Sequence, residues 1–166
     1  KISDDKQLRV IRAIDKLDKP GFGLKGVEDL LKKERKDVSG AGTKGADLTD
    51  EQASQILNFL KIKDLKTLKE NLKNPLSQEG IKELEDVFEI IGFSSYLSEI
   101  KTNFTIVRGL QYYSDFILET NLNFKVTNIK GKEVDIGSIC SGGAYAKLIS
   151  RFKGVDIPGT GISFGV

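Results

Sequence analysis

Between Tyr113 and Phe124 the chain alternates with a period of two, a pattern that fits a strand and not a helix. The odd positions are Tyr113, Asp115, Ile117, Glu119, Asn121 and Asn123; the even ones, after Ser114, are Phe116, Leu118, Thr120, Leu122 and Phe124. Side chains on a strand point alternately to opposite faces. One face is therefore mostly apolar and belongs on a core. The other carries a phenol, carboxylates and amides, with Arg108 at its entrance. Such a face suits the floor of a polar small-molecule site. On pattern alone an antiparallel sheet with one wet face is the favoured reading of the two.

Upstream the period changes. Ser3 and Asp4 can cap a helix running to about Asp18, with Leu8, Ile11, Ile14 and Leu17 on one side and Val10 widening the stripe. Pro20-Gly21 stops it. A second helix is predicted from Leu24 to Lys33, with Val27, Leu30 and Leu31 inward. Glu34 to Ala46 has no periodicity and reads as a mobile loop. Thr49 and Gln52 have the spacing of a capping box before a helix that buries Ala53, Ile56, Leu57 and Leu60. Lys61 to Lys73 carries an apolar stripe of Leu65, Leu68 and Leu72, with Lys61, Lys63, Lys66, Lys69 and Lys73 elsewhere. That lysine face fits RNA phosphates or plain solvent. Asn74-Pro75 breaks this helix, Ser77 caps another, and Gly92 ends it. After about Lys101 the segments are β-rich: Val107 to Phe124, Val134 to Ser138, and a last strand from Gly159. Asn128 to Lys132 has the composition of a hairpin turn, Gly142-Gly143 permits a sharp bend, and a short helix is expected over Ala144 to Phe152. Helices followed by strands imply α+β: an all-helical lobe, 1–100, and an antiparallel sheet segment, 101–166.

The net charge of +2 is too small to argue for nucleic acid or membrane by itself. No apolar run is long enough to span a bilayer, and the first residues, KISDDKQ, have no secretory core. The single cysteine, Cys140, forms no internal disulfide and fits a reducing cytoplasm; a lone cysteine is usually a small buried hydrophobe. The absence of His excludes His-based triads and His-ligated zinc, and no metal-binding set is expected. Methionine is absent even at position 1, which fits a fragment.

Particular words carry more than the pattern. Arg108-Gly-Leu-Gln-Tyr-Tyr113, with Glu119 following, resembles the histidine-specific signature of histidyl-tRNA synthetases, RGL-(Asp or Glu)-YYTG with a later Glu. Gly142-Gly-Ala-Tyr145 resembles the second signature, GGRYD, and Pro158 to Val166 resembles the approach to the third class II synthetase motif. Val10 to Lys19 and Gly45-Ala-Asp-Leu48 are similar to the segment that precedes the histidine signature in a bacterial branch of that family. The chain departs from the pattern at Gln111, at Ser114-Asp115 in place of Thr-Gly, and at Ala144 and Ala146 in place of Arg and Asp.

The resemblance implies a helical insertion lobe followed by part of the antiparallel class II catalytic sheet. It implies ATP-dependent activation of L-histidine and its transfer to tRNA(His), with ATP entering as its Mg2+ complex, in a cytoplasmic homodimer with no membrane. Arg108 is the implied catalytic residue, since a guanidinium stays charged and donates in a fork to a phosphate. Tyr112, Tyr113, Tyr145, Gly142 and Gly143 are the implied histidine-binding residues, with Gln111 and Glu119 on the supporting polar face. Tyrosines offer a ring wall and a hydroxyl partner for imidazole. Neighbouring strand residues face opposite ways, so Tyr112 and Tyr113 line one pocket only if the strand bends near them, and Tyr113 is the surer contact. The first two class II motifs and the arginine of the third are not recognisable, so an internal fragment, inactive alone, is expected. Ala144 and Ala146 leave a second reading open: a non-catalytic synthetase-like paralogue that binds histidine, tRNA or a regulatory partner.

Overall fold

The computed structural model describes residues 2–36, 40, 42–107, 113–145, 150, 152–155 and 157–165. It divides into two compact units: Lys1–Ile81 with Ile91–Val107, and Lys82–Ile90 with Arg108–Val166. Helices and antiparallel sheets make it α+β.

The first unit is built around α1 (Asp4–Ile14), α2 (Gly23–Lys32) and α3 (Asp50–Leu60). Their apolar positions meet in one core of Val10, Ala13, Val27, Leu30, Leu31, Ala46, Leu48, Ala53 and Leu60. Val27 and Leu31 are fully enclosed, and burial of side chains this size stabilises by about 1.5–3 kcal/mol each. The stripe of α1 is centred on Val10 and Ala13, while Ile11 is exposed. Ser3 caps α1, and Thr49 and Gln52 form the reciprocal capping box of α3. The α4 helix (Leu65–Asn71) is capped by Asp64, whose carboxylate accepts the Thr67 N–H at 2.8 Å and is held below its ordinary pKa by that bond. The α5 helix (Pro75–Ile91) starts earlier than Ser77. Its cap is Asn74, whose side chain accepts the Ser77 N–H at 3.0 Å. Proline suits the first helical position, where its missing N–H costs nothing.

The first hundred residues are not all helical. Within the stretch read as a loop, β1 (Arg35–Lys36) pairs antiparallel with β2 (Gly42–Thr43). These strands are too short to show alternation and rest on backbone bonds. Arg35 adds a side-chain anchor, its guanidinium 4.5 Å from the Phe22 ring centre. The returning segment is stitched to α2: Ala46 N–H donates to Leu30 O at 2.9 Å and Leu48 N–H to Leu31 O at 3.0 Å. Between them Asp47 takes a left-handed φ of 51°, a conformation Asp tolerates better than most residues. Arg9 holds its carboxylate at 3.0 Å and Lys6 holds its carbonyl at 2.6 Å. Gly45-Ala-Asp-Leu48 is therefore a packing motif of the helical core.

The second unit contains a three-stranded sheet of β3 (Ile117–Asn121), β6 (Ser138–Ala144) and β7 (Thr160–Phe164), in the order β3-β6-β7. A separate hairpin joins β4 (Val126–Thr127) to β5 (Glu133–Val134) through the expected turn, with Gly131 at φ 72°. The β3 strand is shorter than the alternation predicts, and its register against β6 shifts between Thr120 and Asn121. Ala144 ends β6 rather than opening a helix, and Tyr145 N–H still donates to Gly159 O at 2.8 Å. Helical backbone is present at Ser150, Phe152 and Lys153.

Candidate functional site

Of the predicted site residues among those described, Glu119 lies on β3 and Gly142 and Gly143 on β6, while Tyr113 precedes β3 and Tyr145 follows β6. Ile117 pairs with Gly143 and Glu119 with Ser141 across β3–β6; Gly143 pairs with Gly161 and Ser141 with Ser163 across β6–β7. Paired residues share a face, so Ile117, Glu119, Ser141, Gly143, Gly161 and Ser163 form one surface. Leu118, Gly142 and Ile162 form the opposite surface with Thr120, Cys140 and Phe164. The predicted separation into a polar and an apolar face thus holds within β3. Asp115 lies before the strand, where its carboxylate accepts the Ser114 hydroxyl at 2.8 Å.

Two tyrosines come to the polar surface. A Cβ on Gly143 would stand 2.9 Å from Cδ1 of Tyr113, and one on Gly161 would stand 2.8 Å from the hydroxyl of Tyr145. Each ring therefore occupies space that only glycine leaves. Because Gly143 and Gly161 are a cross-strand pair, the phenols flank a shallow floor with no side chain of its own. Glu119, half-buried, continues that surface along β3. Gly142 and Gly143 make no bend. They sit inside β6, and a Cβ on Gly142 would reach within 2.9 Å of the Ile162 Cα. Their lack of a side chain serves close strand packing on one face and a tyrosine seat on the other.

Arg108, Gln111, Tyr112 and Ala146 lie outside the described residues. Ala144 is placed on the apolar face, opposite the tyrosines, since Gly143 and Tyr145 occupy the alternate positions. An arginine there would point away from Tyr113 and Tyr145. Cys140 is 5% exposed on that same apolar face, which fits a small buried hydrophobe. The lysines of the 61–73 stretch, Lys61, Lys63, Lys66, Lys69 and Lys73, are all exposed, and Leu68 is buried beneath α4.

Gly161 did not emerge from the sequence as a site residue; its signal was the Pro158-Gly-Thr-Gly161 run. Among the described residues no group of His, Cys, Asp and Glu is arranged to hold a metal ion. No described helix is long and apolar enough to cross a membrane.

No family model matches the chain. A histidine–tRNA ligase of Pelagibacter ubique is 80% identical over 166 residues, all of this chain and 36% of that protein. One from Rhizobium rhizogenes is 44% identical over 98% of the chain and 34% of its own length. The crystal structure of a histidyl-tRNA synthetase from Nostoc sp. PCC 7120 superposes with a TM-score of 0.71 at 28% identity, covering 99% of this chain and 35% of that one. The chain spans about a third of the length of the curated relatives it matches. Aligned over its own whole length with about a third of each of these ligases, and sharing the fold of the Nostoc synthetase over that span, the chain belongs to the histidyl-tRNA synthetase family.

Proposed function

We propose that these residues form the histidine-recognising part of a histidine–tRNA ligase. The observation that carries this reading is the placement of Tyr113 and Tyr145 on one sheet face, seated on the Gly143–Gly161 pair. An imidazole between two phenols gains ring contact and hydroxyl partners for its nitrogens. Glu119 supports the polar side of that surface, and Gly142 and Gly143 keep its strands close. Tyr112 and Gln111 complete the proposed pocket.

The chemistry proceeds in two steps. A carboxylate oxygen of L-histidine attacks the α-phosphorus of ATP, supplied as its Mg2+ complex, and pyrophosphate leaves. A terminal ribose hydroxyl of tRNA(His) then attacks the acyl carbon, and AMP leaves. Negative charge builds on the α-phosphate in the first step. Arg108, which opens the same signature that ends in Tyr113, is the proposed donor that offsets it; removal of one such contact costs about 10²–10³ in rate. In this reading 1–100 is the helical insertion and 101–166 the catalytic-sheet part of a longer, cytoplasmic, homodimeric enzyme. The placement of Ala144 on the face away from the tyrosines favours a working pocket over a non-catalytic paralogue, because that substitution takes no charge from the tyrosine face.

Calorimetric titration with L-histidine, against L-alanine as control, tests the pocket. Saturable histidine-selective binding that is weakened by Tyr113→Phe and Tyr145→Phe is the expected result. Equal binding of both amino acids would reject histidine recognition. The ligase reading is tested by grafting these 166 residues into the Pelagibacter ubique ligase in place of their counterpart. Histidine-dependent ATP–pyrophosphate exchange should persist there and be lost in Arg108→Ala.

A further inference from the structure

The route from α5 to Tyr113 passes through one backbone amide. In the β3–β6 register Ile117 faces Gly143. Regular pairing would continue with Phe116 exchanging both bonds with Ala144, and would carry Tyr113 past the end of β6. Only half of that exchange is made. Ala144 N–H donates to Phe116 O at 3.1 Å, but the Ala144 carbonyl accepts from Ser114 N–H at 3.1 Å. The segment Ser114–Phe116 is therefore bulged against Ala144. The bulge draws Tyr113 back along β6 until its ring rests on Gly143.

This arrangement leaves the Phe116 N–H without its ladder acceptor. The carboxylate of Glu83 takes it, with Oε1 at 3.3 Å. Glu83 lies in the Lys82–Ile90 stretch of α5, which belongs to the same compact unit as the sheet. An orphaned amide at a partly buried site is destabilising, so the bulge depends on an acceptor from outside the sheet. Asp115, the neighbouring carboxylate, is instead engaged by the Ser114 hydroxyl.

We propose that Glu83 is a positioning residue of the histidine pocket, its carboxylate holding open the Ser114–Phe116 bulge that seats Tyr113 on Gly143. The inference rests on the ligase reading for its function, but the bulge and its acceptor are testable without any ligand. Burial raises the Glu83 pKa above its ordinary value, the Phe116 N–H opposes that rise, and Asp115 adds to it. Asp115 is the charged group facing it from the strand side. On α5 itself Lys82 is bonded to Asp86, and Glu79, one turn earlier, is exposed.

The experiment compares Glu83→Gln, which keeps an acceptor oxygen without charge, with Glu83→Ala, which has none. In the unaltered chain, followed by 15N NMR, the Phe116 amide proton should titrate with a midpoint above that of an ordinary glutamate. The Tyr113 ring should show a cross-peak to Gly143. In Glu83→Gln the titration should vanish and the cross-peak remain. In Glu83→Ala, with helix content unchanged, the cross-peak should be lost and exchange of the Phe116 amide should accelerate about tenfold or more. Histidine affinity should fall about tenfold in Glu83→Ala and be restored by Glu83→Gln. A persistent Tyr113–Gly143 cross-peak in Glu83→Ala, or Glu83→Gln behaving like Glu83→Ala, overturns the assignment. Absence of histidine binding in the unaltered chain, with the cross-peaks behaving as stated, would count against the ligand reading and leave the positioning role intact.

Discussion

The two units of this chain are stabilised differently. The helical unit encloses a continuous apolar core in which Val27, Leu30, Leu31, Ala46 and Ala53 are at most 1% exposed. In the sheet unit Cys140 is the one buried hydrophobic residue among those described, while Ile162 is 53% and Phe164 69% exposed on the apolar face. Its order comes from backbone pairing and from glycines that let strands and rings approach. The lesson is that the helical unit is specified by side-chain volume, the sheet unit by where side chains are missing.

The largest expected effect tests the first half of that contrast. Leu30→Ala should destabilise the helical unit by about 2–5 kcal/mol, read by urea unfolding at the helical circular-dichroism band. Ile162→Ala, on the open apolar face, should cost less than about 1 kcal/mol. Equal losses would break the comparison. The second half is tested by adding volume. A Cβ on Gly143 would lie 2.5 Å from the Phe116 carbonyl oxygen, so Gly143→Ala should destabilise the sheet unit by about 1–3 kcal/mol. Gly161→Ala meets the movable Tyr145 ring first and should displace the phenol with a smaller loss of stability. Hydrogen exchange resolved by unit would separate the two outcomes. Loss of the α3 cap in Thr49→Ala should cost about 1 kcal/mol, confined to the helical unit.

The smallest effect is a difference of sign with pH. In the helical unit the Lys32 ammonium bonds both Asp50 and Glu28 and holds their carboxyls below the ordinary range, and the Thr67 N–H does the same for Asp64. Carboxylates depressed in the folded state contribute stability above their unfolded pKa, and that contribution is lost as pH falls through the folded values. Glu83, raised by burial, acts in reverse. It binds more protons folded than unfolded between its two pKa values, so stability falls as pH rises through that window. Acidification should therefore loosen the helical unit while Glu83 opposes the trend in the sheet unit. Unit-resolved exchange across pH 3–7 should show the difference, and Glu83→Gln should remove the sheet unit's share. The exposed pairs are screened by solvent, which keeps the effect modest.

Much of this molecule is local, and the local part was readable. The α2 stripe of Val27, Leu30 and Leu31, the Thr49–Gln52 box and the Asn128–Lys132 turn each depend on residues within a few positions of one another. The alternation from Ile117 to Thr120 did assign the two faces of β3, because period two leaves no other choice. The signatures around Tyr113 and Tyr145 named the family. What the sequence by itself could not decide was pairing between distant segments. The β1–β2 ladder is too short to leave a pattern, and the strand predicted to start at Tyr113 instead bulges at Ser114–Phe116. That Gly143 faces Gly161, that Ala144 turns away from the tyrosines, and that Glu83 meets the Phe116 amide are consequences of register and packing. Each joins residues separated by many positions, where no local propensity acts; only the folded chain brings those groups within bonding distance and makes one side chain's absence another's place.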